Sequence, residues 1–373
     1  MYNYKFIGVG AAGNKGAIAL IESGLTTKEN TLLLNTTMRD IPAGYRDIAK
    51  QIGSSFSGSG KERNLAYSLT VEEIEKGDML YLDEFTDGSD VYAVIVIAAI
   101  GGGTGSGASI AIAEYLSNEG IHVHLCGYVG FSTDIRELKN SLGWCKSLRE
   151  EFGVELICNA KFLEQANNNT SIAEKLCNKE LVERMKIYTG SVLRDSSQNI
   201  DDTELFKLNT TPGFTTIERI DIPSRIKNSA QFDELINRMA DHTKSPDFDA
   251  NSSRIGIVLN ISEASYLNID SRFNLIKERF GMNPDEVFIH VQYTEDYPEF
   301  IAVMAVGNEI PYDDIASMAK QIKAQQTERK QTVNKKKFFE TIEDLDDGDD
   351  IDGIASAAVG RKLRPAKSLF TKE

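Results

Sequence analysis

The most distinctive chemical feature of the chain is a run of five glycines interrupted by two hydroxyl residues. The run consists of Gly101, Gly102, Gly103, Thr104, Gly105, Ser106 and Gly107. It lies between the apolar segment 91–100 and an apolar helical pattern, where a flexible linker would be out of place. Bare backbone amides of glycines can form a concave nest around phosphate oxygens, and the two hydroxyls add donors. The run therefore predicts a phosphate-binding loop.

A second glycine motif lies near the N-terminus. Its residues are Gly8, Val9, Gly10, Ala11, Ala12 and Gly13, a G-x-G-x-x-G placed after a strand pattern and before a helical one. This motif also occurs in dinucleotide-binding folds, which need an acidic residue at the end of the second strand. Here that strand ends in Asn35, Thr36 and Thr37, without a carboxylate. An NAD(P)-dependent oxidoreductase is therefore the weaker alternative.

A third glycine-containing segment, residues 53–61 (GSSFSGSGK), looks at first like a Walker A motif. Ser55 stands where the first glycine belongs, and Glu62 follows the lysine where Ser or Thr is needed. Two interpretations stay open for this segment. It is either a mobile loop beside the terminal phosphate or a surface loop.

The elements that must position these loops follow an alternating pattern. Strand-like runs alternate with helical ones, which indicates a doubly wound parallel α/β sheet. Glycine loops that follow strands of one such sheet meet at its carboxyl edge, where they can hold one nucleotide with several phosphates. The predicted strands are 4–10, 31–35, 91–100, 121–130 and 154–159, and the predicted helices are 17–23, 108–120 and 137–151.

The second half of the chain predicts a smaller α/β domain joined to the first by a long helix, 172–193. Its strand patterns are 254–260, 287–293 and 300–307, and its helical patterns are 232–242 and 271–280. A polar helix and a charged tail follow. The predicted units are a nucleotide-binding domain 1–170, a central helix 171–198, a second α/β domain 199–311, a C-terminal helix 312–339 and a tail 340–373.

The glycine run after a buried strand resembles that of the tubulin/FtsZ superfamily of filament-forming GTPases. The opening loop also resembles that family's first phosphate loop, and Asn14 matches the asparagine that contacts guanine. Cys158, Asn159, Ala160 and Lys161 are similar to the P-N-D-K/R segment that approaches the nucleoside. The resemblance implies bound GTP or GDP with Mg²⁺. The implied ligands are Gly10, Ala11, Ala12, Gly13, Asn14, Asn35, Asn159 and the glycine run 101–107.

Two further ligand positions follow from the resemblance alone. Residues 131–136 lie where the family has a phosphate-side loop ending in arginine, which implies roles for Asp134 and Arg136. The family's central helix presents a group to guanine. No aromatic residue stands at that spacing here, and among Leu176, Lys179 and Glu180 we expect Lys179 to take this place.

The catalytic assignment rests on a carboxylate loop after the long helix. Asn199, Asp201 and Glu204 resemble the family's N-x-D-x-x-D, with Glu204 in place of the last aspartate. In the family this loop enters the nucleotide site of the next subunit and polarises the attacking water, so hydrolysis is coupled to assembly. The alternatives are an acidic helix-capping loop, or a nucleotide-binding scaffold without useful hydrolysis.

Within the superfamily the chain resembles the phage- and plasmid-encoded TubZ group, which segregates DNA, more than the cell-division FtsZ group. The resemblance implies a head-to-tail filament of the chain with itself, and FtsZ-like division or positioning is the alternative role. The tail combines eight acidic residues at 340–352 with the basic stretch 361–367. Such runs are usually solvated, and the functional alternative is docking of an adaptor protein.

Composition excludes several classes of protein. The net charge is −15, so the body of the protein should not bind nucleic acid directly. The longest apolar run is about half of a bilayer span, and Cys126, Cys145, Cys158 and Cys177 form no CxxC pair, so we expect a cytoplasmic, reduced protein without membrane contact. His122, His124 and Cys126 alternate along one strand, but no fourth ligand is evident and no metal site is predicted there.

Overall fold

The structure is a computed structural model, and its described part covers most of the chain up to residue 317. The described residues are 3–53, 58–87, 91–131, 134–194, 199–223, 226, 228–262, 270–281, 284–293 and 298–317, with 320, 323, 324 and 327. Those up to residue 317 belong to one compact unit, Met1–Ile322. The predicted tail, 340–373, and most of the predicted C-terminal helix lie outside the described residues. Residues 312–317 are helical.

A single ten-stranded sheet runs through the described residues, in the order β3-β2-β1-β4-β5-β6-β7-β10-β8-β9. Neighbouring strands are parallel except around β10, which is antiparallel to both β7 and β8. The strands are β1 (Asn3–Val9), β2 (Thr31–Asn35), β3 (Ala49–Gln51), β4 (Val91–Ala99), β5 (Val123–Val129), β6 (Gly153–Cys158), β7 (Gly213–Asp221), β8 (Arg254–Ile261), β9 (Glu286–Tyr293) and β10 (Phe300–Asn308).

Helices cover both faces of the sheet, as the alternating pattern predicts. They are α1 (Gly10–Glu22), α2 (Arg63–Lys76), α3 (Tyr81–Thr86), α4 (Gly103–Asn118), α5 (Ile135–Lys146), α6 (Thr170–Tyr188), α7 (Asp202–Thr210), α8 (Ser229–Asp241) and α9 (Asp270–Phe280). None of these described helices has the length and apolarity needed to pass through a bilayer.

The central strand β4 is buried on both faces because nearly every residue in it is apolar. Ile95 and Ile97 pack with α1 and α6 on one face, while Val94 and Val96 pack with α3, α4 and α5 on the other. A third cluster joins α8 and α9 to the strands of the second half. The doubly wound fold predicted from the sequence is therefore confirmed.

Several predicted element boundaries were wrong, most clearly at glycines. Helix α1 begins at Gly10 rather than at residue 17, and α4 begins at Gly103, so the glycine run forms the first turns of a helix. Glycine has a low intrinsic helix propensity, and here packing against neighbouring backbone overrides it. Helix α5 ends at Lys146 and α6 at Tyr188, both earlier than predicted.

Five strands and helices, β3, α2, α3, β7 and α7, were missed altogether. Strand β7 pairs with β6, from Gly153 opposite Gly213, and with β10 on its other side. It thereby links the strands of both halves of the chain into one continuous sheet. The domain boundaries proposed from the sequence stay a prediction.

Candidate nucleotide-binding site

The two glycine loops meet at the carboxyl ends of β1 and β4, where the strand order reverses. Such a reversal in a doubly wound sheet is the usual place for a ligand. Gly10 has a φ of +74°, and a Cβ there would lie 3.0 Å from the backbone nitrogen of Gly105. Only glycine satisfies both the left-handed conformation and the close approach.

Two helix N-termini converge on this point. Helix α1 starts at Gly10 after Val9, and α4 starts at Gly103 after Gly102, and neither preceding residue provides a side-chain cap. The first backbone N–H groups of both helices therefore remain available, next to the positive ends of two helix dipoles. This arrangement suits the phosphates of a nucleotide.

A hydroxyl cluster lies beside the glycine run. The Thr104 hydroxyl is 2.8 Å from the Thr36 hydroxyl at the end of β2 and 3.1 Å from the Ser59 hydroxyl. A Cβ on Gly103 would collide with Ser59 and with the Cα of Lys61. Of the two interpretations of segment 53–61, residues 58–61 support the one that places it beside the phosphate loop. Residues 54–57 lie outside the described part of the chain.

Lys61 was not predicted as a site residue, yet its side chain crosses the edge of this nest. Its Nζ lies 2.8 Å from Glu137 Oε1 and 3.4 Å from Asp134 Oδ2. The hydrogen bond to Glu137 raises the pKa of Lys61. Asn140 donates from Nδ2 to the carbonyl oxygens of Lys61 and Gly101, at 3.1 and 3.0 Å. The lysine that ends GSGK was the available sequence signal.

Asp134 and Arg136 lie at the start of α5. The Asp134 carboxylate caps this helix by accepting from the Arg136 backbone N–H at 2.8 Å, which lowers the pKa of Asp134. The Arg136 side chain is exposed. The structure thus brings Asp134 to the nest through Lys61, and it shows Arg136 contributing its backbone N–H to the helix cap.

Two of the predicted asparagines have buried amide oxygens without a hydrogen-bond partner among the described residues. These atoms are Asn14 Oδ1 and Asn159 Oδ1. Asn14 donates from Nδ2 to the Leu34 carbonyl at 3.3 Å, which holds its side chain in place. A buried acceptor without a hydrogen bond costs folding free energy, so a hydrogen-bond donor on a ligand would stabilise each of these oxygens.

The other predicted phosphate-side residues have structural partners. Asn35 Oδ1 accepts from the Thr36 backbone N–H at 2.9 Å, and its Nδ2 lies 3.4 Å from Asp40 Oδ2. Gly13 packs directly on the Ile97 carbonyl of β4, while Ala11 is exposed and Ala12 half-buried in the first turn of α1. Asn35 therefore shapes the turn after β2, and Gly13 seats α1 on the sheet.

The structure does not bring Lys179 to the glycine nest, and its proposed role at the nucleotide stays a prediction. Lys179 is exposed and lines a separate cavity of about 330 Å³ with Arg219 and Asp221 of β7. The side of α6 that faces α1 and β5 carries Glu174, which pairs with Lys15, and Asn178, which accepts from the Tyr128 hydroxyl at 2.9 Å. Lys179 follows Asn178 by about 100° around the helix, which turns it away from α1.

The predicted catalytic loop lies at the opposite end of the sheet from the glycine loops. Asn199 and Asp201 line a cavity of about 840 Å³ together with Asn3 and Tyr4, which begin β1, whereas the glycine nest follows Val9. Six residue steps of a strand span about 20 Å. Asp201 therefore cannot reach the nucleotide nest of its own chain.

Asp201 and Glu204 form a reciprocal capping box at the start of α7. Asp201 Oδ1 accepts from the Glu204 backbone N–H at 2.8 Å, and Glu204 Oε2 accepts from the Asp201 backbone N–H at 3.1 Å. The helix-capping alternative is thus real in the isolated subunit. The cap leaves Asp201 exposed to solvent, so capping α7 does not prevent Asp201 from contacting another subunit.

The class of protein that this fold and nest define is a doubly wound α/β nucleotide-binding protein. Residues 3–167 match the family model described as the Tubulin/FtsZ family, GTPase domain. This part of the chain is therefore similar to the GTPase domain of that family, in line with the resemblance of the glycine run and its surroundings.

Several proteins of known name are similar to this chain in sequence or in fold. The chain is 26% identical to the tubulin-like protein CetZ4 of Haloferax volcanii over 211 residues, which is half of the chain and half of that relative's length. The fold is similar to a GTPγS-form protofilament of Bacillus thuringiensis serovar israelensis TubZ, with a TM-score of 0.72 at 16% identity over 88% of this chain and 94% of that one. GDP-bound CetZ1 from Haloferax volcanii gives 0.68 at 18% identity over 87% and 100%.

Proposed function

We propose that the chain binds GTP at the two glycine loops and hydrolyses it when subunits assemble head to tail into a filament. The observation that carries this proposal is the contact between Gly10 and Gly105 at the strand-order reversal, with two uncapped helix N-termini beside it. The backbone N–H groups there bind the phosphates and stabilise charge on the transferred phosphoryl group.

Other polar groups around the nest suit the base, the ribose and the metal ion that accompany the phosphates. The amide oxygens of Asn14 and Asn159 accept from the base or the ribose, which satisfies two buried acceptors. The hydroxyls of Thr36, Ser59 and Thr104 and the carboxylates of Asp134 and Glu137 are hard oxygen donors of the kind that Mg²⁺ prefers. When bound, Mg²⁺ neutralises charge on the phosphates.

Hydrolysis requires a second subunit because Asp201 lies at the far end of the sheet from the nest. In a head-to-tail contact, the exposed loop 199–204 of one subunit faces the nest of the next. Its carboxylates then orient the attacking water, and a lone subunit lacks this group. This geometry makes turnover depend on assembly.

Phosphate release measured across a protein-concentration series, with pelleting alongside, tests the proposal. We expect activity per chain to rise above a critical concentration at which sedimentable polymer also appears. Turnover that is independent of concentration and occurs without polymer would contradict the assembly step. Failure to bind GTP at all would remove the proposal as a whole.

Substitutions in the capping box separate its structural and catalytic roles. Asn caps helices about as well as Asp, so Asp201→Asn keeps the cap while removing the charge. We expect D201N and E204Q to bind GTP and form filaments with turnover nearly lost. D201A should lose turnover and also about 1 kcal/mol of stability. The matched control is Asp202→Asn, the exposed neighbour outside the box. Wild-type turnover in both D201N and E204Q would exclude the assignment in trans.

The finer role that we propose is DNA segregation through an adaptor protein that binds the C-terminal tail. Its support is the resemblance to the TubZ group and the charge reversal between 340–352 and 361–367. A chain truncated after Phe339 should polymerise normally but lose the adaptor, measured by co-pelleting with candidate DNA-bound partners. Retained adaptor binding would rule out the tail as the docking site.

A further inference from the structure

Two neighbouring strands place three metal-binding side chains together inside the protein. His124 and Cys126 come from β5, and Glu155 comes from β6 directly opposite Cys126. All three are buried, with exposed fractions of 0%, 3% and 0%. We propose that His124, Cys126 and Glu155 form a binding site for a transition-metal ion of the zinc class. This inference is independent of the nucleotide site and of the proposed GTPase activity.

The distances between the ligand atoms approach those of a metal site. Tetrahedral zinc, with bonds of about 2.0–2.3 Å, separates its ligand atoms by about 3.3–3.7 Å. Glu155 Oε2 lies 3.7 Å from Cys126 Sγ and 3.8 Å from His124 Nε2. Ligand atoms of the three residues all lie within 4.8 Å of one another, so the longest separation has to shorten by about 1 Å on binding.

The imidazole of His124 supports this interpretation. Neither ring nitrogen forms a hydrogen bond with any residue that the structure describes, although the side chain is fully buried. Its ring packs on Tyr188 with centroids 4.3 Å apart, and a Cβ on Gly153 would lie 2.6 Å from Nδ1. The chain thus leaves room for a buried imidazole and provides no hydrogen bond for it, which is costly unless a cation is bound.

One buried cation serves several carboxylates beside the cluster. The buried Arg184 guanidinium is the cation that contacts three carboxylates, those of Glu155, Glu180 and Glu218, at 2.9–3.1 Å. It binds Glu155 through Oε1 and leaves Oε2 directed at Cys126 and His124. Arg184 therefore orients the carboxylate in the way that outer-shell partners of metal ligands do.

The donor set selects the kind of metal. One imidazole, one thiolate and one carboxylate suit zinc or cobalt, whereas magnesium and calcium take oxygen ligands. His122 is not part of the cluster, because its Nε2 lies 2.7 Å from the Asn209 carbonyl oxygen. The third ligand is instead Glu155, an acidic residue in an otherwise apolar strand. Since the site is closed to solvent, the metal has to enter as the chain folds.

The test is refolding of the full chain from denaturant with Zn²⁺, with Co²⁺, or with a chelator, followed by removal of free metal. We expect close to one metal per chain by elemental analysis. The Co²⁺ form should show a thiolate-to-cobalt charge-transfer band. Cys126→Ser should abolish that band, while Cys158→Ser, a change at a buried cysteine outside the cluster, should keep it.

Wild-type protein that refolds fully, by circular dichroism, without retaining Zn²⁺ or Co²⁺ would overturn the proposal. A band that persists in Cys126→Ser would overturn it as well. If Cys126→Ser fails to refold, the wild-type metal content and the Cys158→Ser spectrum still decide the question.

Discussion

At the scale of single residues, side chains around the nest hold each other in position before a nucleotide arrives. Thr104 links the end of β2 and the loop at Ser59 to the glycine run. Lys61 stays beside the nest through the carboxylates of Asp134, which caps α5, and Glu137, in its first turn. A preorganised set of donors binds a ligand with less loss of side-chain freedom.

We expect Thr104→Val to weaken GTP binding about tenfold, because valine keeps the shape and removes the hydroxyl that joins Thr36 and Ser59. Each lost hydrogen bond costs about 1 kcal/mol, and about 1.4 kcal/mol corresponds to a factor of ten in affinity. The measurement is titration calorimetry with a slowly hydrolysed GTP analogue.

The control for Thr104 is Thr70→Val, since Thr70 is a buried helix threonine that bonds to the Ala66 carbonyl at 2.8 Å, on α2. T70V should change stability and leave affinity unaltered. Equal affinity in T104V and the wild type would show that the hydroxyl cluster does not support the nest.

Strands and helices of this protein were predicted correctly where side-chain type determines the element. They were misplaced where backbone packing determines it. The strand 91–100 is apolar throughout, and its prediction as a central strand was confirmed. Helix α4 was predicted to start after the glycines, because the low helix propensity of glycine makes Gly103, Gly105 and Gly107 look like loop residues. These glycines are helical since α4 packs backbone to backbone against α2 and β4. Sequence spacing does not reveal such contacts.

We expect Gly107→Ala to lower the free energy of unfolding by about 2 kcal/mol, as overpacking usually does. Its Cβ would collide with the Arg63 carbonyl and lie 2.7 Å from the Tyr67 backbone nitrogen, and backbone atoms cannot move aside cheaply. Gly102→Ala is the matched variant, because among the described residues a Cβ there meets only the Ala99 carbonyl oxygen, at 3.4 Å. Urea unfolding should separate the two variants, and equal midpoints would contradict the packing account.

At the scale of the whole molecule, a buried ion cluster joins the two halves of the chain. Arg184 on α6 contacts Glu155 on β6 and Glu218 on β7, the neighbouring strands that link the halves. An acid in the apolar strand 154–159 and a basic residue in the helix 172–193 were visible in the sequence. Their pairing was not, because the contact joins residues 29 positions apart across two elements.

Arg184→Met should destabilise the protein by about 3–5 kcal/mol at neutral pH, because it leaves buried carboxylates without their partner. Arg219→Met is the matched control on β7. Arg219 is partly exposed and pairs with Glu183 and Asp221, so its loss should cost about 1 kcal/mol or less.

The loss of unfolding free energy caused by Arg184→Met should become smaller as the pH falls. Burial raises the pKa of Glu218 above 4.5 even with Arg184 present, and loss of the guanidinium raises it further. The folded state then keeps a proton that the unfolded state has lost, so stability falls as the pH rises through the folded pKa and recovers below it. Urea unfolding between about pH 7 and about pH 5 should show the variant approaching the wild type. A stability gap that stays constant over this range would mean that the protonation of Glu218 does not depend on Arg184.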